Sequence, residues 1–168
     1  IALSAIKMGV WELDLRTGEL QWDDSTYDLY GLRRKDIRIN QEKWRYLVHP
    51  DDLDTIVKSQ NLAIAEARPL DLEFRIIRGN HEIRLISYKA HVEKGPQGKP
   101  IRLIGINYDI TEQRKAQEEI NTLSSLVESS EDMIAYWDLE GQLIFVNTAA
   151  KEKLGWRFDK NRIYNYMT

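Results

Sequence analysis

The stretch from Gly105 to Arg114 constrains the fold of this chain more than any other. It reads Gly-Ile-Asn-Tyr-Asp-Ile-Thr-Glu-Gln-Arg. The strand pattern of apolar residues runs as far as Ile110, and a charged helical pattern begins at Thr111 without an intervening loop. A strand that continues directly into a helix passes a displacement of the sheet on to that helix. The junction therefore favours a protein that reports a signal over one that catalyses a reaction.

The composition excludes several classes of function. The 168 residues carry a net charge of -3 and include no cysteine. A slightly acidic chain lacks the basic surface that nucleic-acid binding needs, and the missing cysteines exclude disulfides and thiolate metal sites. No apolar run approaches the roughly 18 residues of a membrane span. We predict a cytoplasmic segment without nucleic-acid or membrane contact, and the start at Ile1 leads us to expect part of a longer protein.

Two parts of the sequence resemble each other. A strand, a glycine turn and a second strand occupy residues 11–22 and again 135–145, with an Asp-Leu pair before each turn. A polar cap and a short helix follow in both, with Asp24 or Ser25 as the first cap and Asn147 as the second. This order predicts two tandem modules. We assign 1–110 to the first domain (with a lead-in at 1–8), 111–129 to a linker helix and 130–168 to the start of a truncated second domain.

The hydrophobic pattern of the first module predicts two strands, several helices and three further strands. Pro50, followed by Asp51 and Asp52, marks the start of the longest helix, because proline suits a first turn and carboxylates favour its positive end. This order predicts an α+β domain with helices over one face of an antiparallel sheet. The predicted strands are 10–15, 19–23, 70–78, 82–92 and 100–110, and the predicted helices are 24–30, 41–47 and 50 to about 68.

Four segments, in this order along the chain, resemble the PAS family. They are Gly9-Val-Trp-Glu-Leu-Asp-Leu, Val48-His-Pro-Asp-Asp-Leu, Glu73-Phe-Arg and Gly105-Ile-Asn-Tyr-Asp-Ile-Thr-Glu. The His-Pro-Asp-Asp and Asp-Ile-Thr motifs resemble a bacterial subclass more narrowly. Residues 121–168, with Phe145-Val-Asn-Thr-Ala-Ala, resemble the opening third of a second PAS domain.

The resemblance implies both a fold and a class of function. The fold is a five-stranded antiparallel sheet in the order 2-1-5-4-3, with helices on one face and a linker helix after it. The function is a sensory and dimerisation module in a signalling protein such as a sensor histidine kinase or a diguanylate cyclase. An output domain further along the same chain is implied as well. Asp109, Ile110 and Thr111 would form the signal junction.

No catalytic constellation is recognisable in the sequence. The three histidines are scattered, and the acidic pairs Asp23-Asp24 and Asp51-Asp52 each fall at a helix start. Capping explains such pairs better than acid–base chemistry does. The chain has no phosphate-binding glycine loop and no nucleophile motif. We predict that this segment is not an enzyme and has neither catalytic residues nor a metal site.

PAS domains can hold a ligand between the sheet and the long helix. Haem sensors of the family commonly use a histidine on that helix and covalent flavin sensors use a cysteine, and both are missing here. We therefore predict no cofactor, with a small metabolite or a non-covalent flavin as the alternative. A third reading is that the apolar residues only fill the core of a structural dimerisation spacer. The candidate pocket residues are Trp11, Leu13, Trp22, Tyr27, Trp44, Ile56, Val57, Gln60, Phe74, Leu85 and Leu103.

The linker carries a seam of apolar residues at intervals of four, three and four positions. The seam residues are Ala116, Ile120, Leu123 and Val127. This spacing predicts a homodimer through two parallel linker helices. The alternative is one amphipathic helix that lies on its own sheet, because fewer than three heptads are present.

Overall fold

The computed structural model describes residues 8–154. The chain divides into two compact units, with the boundary between Glu112 and Gln113. The elements up to that boundary are β1 (Met8–Asp14), β2 (Leu20–Trp22), α1 (Asp24–Leu29), α2 (Gln41–Leu47), α3 (Pro50–Glu66), β3 (Leu70–Ile77), β4 (Ile83–Lys94) and β5 (Pro100–Asp109). Helix α4 (Thr111–Glu128) crosses the boundary, and β6 (Ala135–Trp137), β7 (Leu143–Val146) and α5 (Thr148–Leu154) follow it.

The first unit is built on one antiparallel sheet in the order β2-β1-β5-β4-β3. Strand β1 pairs with β5 over its whole length, with Val10 opposite Ile106 and Leu13 opposite Leu103. The last strand of the unit therefore lies at the centre of the sheet, beside the first. The predicted α+β PAS fold is confirmed, including this adjacency.

Alternation along the strands separates a buried face of the sheet from an exposed face. On β1, Trp11 and Leu13 are buried whereas Val10 is exposed, because successive side chains point to opposite faces. The buried face joins residues of α1, α2 and α3 in one hydrophobic core. Its largest fully buried members are Tyr30, Phe74, Leu13, Ile76, Ile86 and Leu103.

Each of the three helices in the first unit begins at a capping side chain. Asp23 accepts a hydrogen bond from the Thr26 amide and caps α1. The prediction of Asp24 or Ser25 as this cap was wrong, because β2 ends at Trp22 and Asp23 already has the extended backbone that a cap needs. Asn40 caps α2, and His49 caps α3 directly before Pro50.

Helix α4 and the β6–β7 hairpin leave many apolar side chains exposed. No residue of α4 is buried within the described part of the chain. In the hairpin, Tyr136 and Trp137 are 59% and 49% exposed. The last part of the predicted second domain, residues 155–168, lies outside the described residues. None of the helices described from residue 8 to residue 154 has the length and apolar character needed to cross a bilayer.

Candidate functional site

A small cavity lies in the first unit, where the buried face of the sheet meets α2 and α3. Its volume is about 20 Å³, which gives room for about one water molecule. Four aromatic rings and two leucines form most of its wall, and three amide side chains interrupt them. The lining residues are Trp11, Leu13, Leu20, Trp22, Gln41, Trp44, Gln60, Tyr88 and Asn107.

Stacked aromatic rings limit the size of this cavity. The ring of Tyr88 stacks on that of Trp11, with centroids 4.8 Å apart and an angle of 12° between the planes. Trp44 lies 6.4 Å from the same tyrosine, and Phe74 contacts it edge-on at 5.5 Å. These distances are typical of favourable aromatic pairs. The rings therefore fill space that a larger ligand would need.

A buried hydrogen-bond network joins four elements around the cavity. Asn107 of β5 accepts from the Trp11 indole at 2.8 Å and donates its amide to the Tyr30 hydroxyl at 3.2 Å. The Trp44 indole donates to the same hydroxyl at 3.2 Å. Burial raises the pKa of Tyr30, so its hydroxyl stays protonated near neutral pH. A change at Tyr30 thus reaches β5 through a single side chain.

The structure brings together only part of the predicted pocket. Five of the candidate residues line the cavity: Trp11, Leu13, Trp22, Trp44 and Gln60. Four others are buried in the core without lining it: Tyr27, Ile56, Phe74 and Leu103. Val57 is half-buried on α3.

One candidate pocket residue, Leu85, belongs to the opposite face of the sheet. Strand β4 contributes Ile86, Tyr88, Ala90 and Val92 to the hydrophobic core, and the pleat places Leu85 on the other side. Opposite it on β3 lies Arg75, whereas Ile86 lies opposite Phe74 in the core. The prediction of Leu85 as a pocket residue was wrong, because Ile86 is the inward member of these two adjacent apolar residues.

Four lining residues were not among the predicted pocket residues: Leu20, Gln41, Tyr88 and Asn107. A signal for the last was present, because Asn107 is a polar residue at an inward position of an alternating strand. Such a residue needs buried hydrogen-bond partners. The indole of Trp11 and the hydroxyl of Tyr30 are those partners.

The predicted signal junction is held against the backbone of Leu85. The Ile110 amide donates to the Leu85 carbonyl at 2.9 Å, and the Leu85 amide donates to the Thr111 hydroxyl at 2.8 Å. The Asp109 carboxylate accepts from the Thr111 amide at 2.8 Å, which satisfies a donor at the start of α4. The end of β5 and the start of α4 are thereby fixed to the same residue of β4.

A chain of charged side chains also reaches the junction. Arg78 donates to the Leu29 carbonyl at the end of α1 at 2.9 Å and pairs with Glu82 at 3.2 Å. Glu82 also forms a salt bridge with Arg84. The Arg84 guanidinium in turn lies 3.3 Å from the Asp109 carboxylate. The hydrogen bond from Arg84 lowers the pKa of Glu82. The pairs are partly exposed, so solvent screens each of them, yet together they extend from α1 to the end of β5.

The His-Pro-Asp-Asp motif joins the start of α3 to strand β3. Asp52 accepts from the Arg75 backbone amide at 2.8 Å and from two guanidinium nitrogens at 3.0 and 2.6 Å. The His49 amide donates to the Arg75 carbonyl at 2.8 Å, and the His49 ring accepts from the Asp51 amide at 3.3 Å. Within residues 8–154 no three His, Cys, Asp or Glu side chains are placed to bind a metal.

The Asp52→Asn variant is expected to lower the free energy of unfolding by about 1 kcal/mol at pH 7. The loss is no larger because solvent around the Arg75 guanidinium screens the ion pair. The hydrogen bond from Arg75 holds the folded-state pKa of Asp52 below its ordinary value of 3.8. A lowered pKa stabilises the fold above 3.8, and this contribution disappears as the pH falls through the folded-state value. Urea unfolding at pH 7, 5 and 3 measures it.

The control for this prediction is Asp51→Asn. The Asp51 side chain is 72% exposed, and its carboxylate lies 3.4 Å from the Arg75 guanidinium. Asp51→Asn is therefore expected to lower the free energy of unfolding much less than Asp52→Asn does. A difference between the parent and Asp52→Asn that persists unchanged at pH 3 would contradict the assigned role of the carboxylate.

Comparison with known proteins places this geometry in a family. A family model described as the PAS fold matches residues 19–107, more than half of the chain. Among solved structures, a sensory box histidine kinase/response regulator from Burkholderia thailandensis has a TM-score of 0.61. That match has 18% identity and covers 74% of this chain and 92% of the other.

Two curated relatives match nearly the whole chain. The probable diguanylate cyclase DgcE of Escherichia coli is 29% identical over an alignment of 160 residues that covers 93% of this chain and 14% of the relative. The sensor protein FixL of Bradyrhizobium diazoefficiens is 24% identical over an alignment of 160 residues that covers 93% of this chain and 32% of the relative. The chain thus corresponds to a small part of longer signalling proteins, and the family match over residues 19–107 shows that it belongs to the PAS-fold family.

Proposed function

We propose that this chain is a sensory and signal-transmission module, without catalytic activity of its own, from a multidomain bacterial signalling protein. One observation carries this proposal. Asn107 and Asp109 are two residues apart on β5; the first belongs to the cavity network and the second caps α4. A rearrangement at the cavity therefore displaces the strand that holds the start of the linker helix. Homologues of this chain include a probable diguanylate cyclase and a sensor protein, which supports the proposed function.

We further propose a tandem arrangement with the boundaries given by the sequence, 1–110, 111–129 and 130–168. Support for a second PAS domain comes from the order of elements: β6, β7 and α5 follow one another as β1, β2 and α1 do in the first unit. The interactions of Asp52 with Arg75 give the His-Pro-Asp-Asp motif a structural role, which supports the subclass assignment. The output domain and the cytoplasmic location remain predictions.

The linker helix α4 is proposed to form a homodimer through Ala116, Ile120, Leu123 and Val127. All four are exposed, and Ile120 and Leu123 are 57% and 55% exposed. Leu126, which the predicted seam omitted, is 62% exposed at the border of the same stripe. Burial of such a stripe against a second helix is the usual source of stability for a coiled coil.

The nature of the signal depends on what the cavity can hold. A space of about 20 Å³ has room for about one water molecule, so a flavin or a metabolite requires the stacked rings to move. The filled core favours the second candidate function, a structural dimerisation spacer. The two candidates differ in one testable respect: only a sensor couples the cavity to the junction.

Tyr30→Phe is expected to loosen the junction. The change removes the acceptor of the Asn107 and Trp44 donors, and a buried donor left unpaired costs about 1–3 kcal/mol. Because Asn107 lies on β5, hydrogen exchange at the Ile110 and Thr111 amides should speed up several-fold more than at the His49 amide. Exchange measured by NMR on the intact chain tests this.

Tyr46→Phe is the matched control, because Tyr46 is 79% exposed and lies on the neighbouring helix α2. Tyr46→Phe should leave the rate of hydrogen exchange at the Ile110, Thr111 and His49 amides unchanged. Equal acceleration of all three amides in Tyr30→Phe would show a general loss of stability without coupling and would favour the spacer.

A further inference from the structure

The side chain of Asn147 is fully buried and uses both ends of its amide. Its oxygen accepts from the Ile134 amide at 2.9 Å and from the Ala150 amide at 3.1 Å. Its nitrogen donates towards three backbone carbonyls, those of Val127 at 3.2 Å, Ser130 at 3.3 Å and Asp132 at 2.8 Å. One side chain thus contacts the last turn of α4, the loop after it and the start of α5.

Asp23 occupies the matching place in the first module. Each residue caps a short helix and directly follows a buried residue of the hairpin, Trp22 in one and Val146 in the other. The sequence pattern alone predicted Asp24 as the counterpart of Asn147. The structure moves this match by one residue, because β6 and β7 pair with a register shift that adds one position.

The two caps differ in what they can bond. Asp23 accepts from the Thr26 amide and hydroxyl, both at 2.7 Å, and an ionised carboxylate has no proton to donate. Asn147 makes the same kind of cap with its oxygen and keeps an NH₂ group for the carbonyls. Capping alone therefore does not require an amide at position 147, whereas bonding to the end of α4 does.

A second set of contacts joins the same two elements. The Glu128 carboxylate at the end of α4 accepts from the Thr148 hydroxyl at 2.8 Å and from the Lys151 ammonium at 3.1 Å. These two hydrogen bonds lower the pKa of Glu128. The end of the linker helix is consequently bonded to the first turn of α5 as well as to Asn147.

We propose that Asn147 is a positioning residue that fixes the C-terminal end of α4 to the second module through its amide nitrogen. A displacement of the helix end then moves β7 and α5 with it. This inference deepens the proposed function and rests on it in one respect, that α4 carries the signal. Its molecular content, the bond from Asn147 to the helix end, is tested separately.

The test compares Asn147→Asp and Asn147→Ser with the parent in the intact 168-residue chain. Both substitutes cap helices well, so the Ala150 amide should stay protected within about threefold. Neither can donate as the amide does, because the carboxylate has no proton and the serine side chain is too short. Exchange of the Ser129 and Ser130 amides should accelerate by about tenfold or more, the effect of losing a buried hydrogen bond.

Asp23→Asn is the control and should leave the Ser129 and Ser130 amides unchanged. Unaltered exchange at these serines in both Asn147 variants would overturn the proposal. Equal acceleration at Ser130 and Ala150 would overturn it as well, because cap and anchor would then not be separate. Failure here leaves the Tyr30 coupling experiment untouched, so the anchor and the sensory function are judged independently.

Discussion

Replacing Gly105 by alanine is expected to destabilise the first unit by about 3 kcal/mol, at the upper end of the range for overpacked cores. A Cβ atom at this position would lie 2.2 Å from Cζ2 of Trp11 and 2.7 Å from the Lys89 carbonyl oxygen. Neither the Trp11 ring nor the Lys89 carbonyl can move far enough to make room for this Cβ atom without disturbing its own contacts. The carbonyl belongs to the backbone of β4, and the Trp11 ring is held by Tyr88 on one side and Asn107 at its edge.

The midpoint of urea unfolding, with Gly79→Ala as the control, measures this effect. No atom lies within 4 Å of a Cβ built on Gly79, so that variant should stay within about 0.5 kcal/mol of the parent. The double variant Trp11→Leu with Gly105→Ala should lose less than the sum of the two single changes, because residues in contact are not additive. A loss below about 0.5 kcal/mol in Gly105→Ala would contradict the packing described here.

The change from strand β5 to helix α4 can be predicted from local signals in the sequence. Gly105, Asn107, Asp109 and Thr111 alternate along β5 into α4, and period-two patterns and helix caps are local signals that a single sequence carries. The succession of strands and helices along the chain follows for the same reason, since turns and apolar runs fix where each strand begins and ends. The order of the strands within the sheet is implied only by the resemblance to the PAS family. The proline and acidic residues at positions 50–52 likewise specify the start of α3.

Side-chain partners across the core could not be read in this way. Leu85 and Ile86 are both apolar and adjacent, so the pattern of β4 permits two registers, and only the pairing of Ile86 with Phe74 selects one. Asn107 bonds to a residue 96 positions away, which no local pattern reveals. The size of the cavity depends on how the tryptophan and tyrosine rings stack, and this is a property of packing in three dimensions.

Ile120→Glu is expected to weaken self-association of the chain by about a hundredfold. In the proposed parallel dimer both copies lose a buried isoleucine, at about 1.5 kcal/mol or more each, and two carboxylates face each other. A total near 3 kcal/mol corresponds to about two decades in the dissociation constant. Sedimentation equilibrium of the variant and the parent over the same concentrations measures the change.

Ser125→Glu provides the matched control, because Ser125 lies nine residues after Ala116 and thus on the opposite side of α4. It adds the same charge and should leave the association constant nearly unaltered. Equal association of Ile120→Glu and the parent would show that the seam is not the dimer contact.

The same measurements separate the dimer from a helix that packs only within its own chain. In that alternative Ile120→Glu lowers the free energy of unfolding by the same amount at every protein concentration, and association does not change. In a dimer the apparent stability of the parent rises with concentration, since association stabilises the folded state by mass action. Because Ile120 is 57% exposed in the single chain, we expect the concentration-dependent result, with the first unit unfolding at the same urea midpoint in dilute solutions of variant and parent.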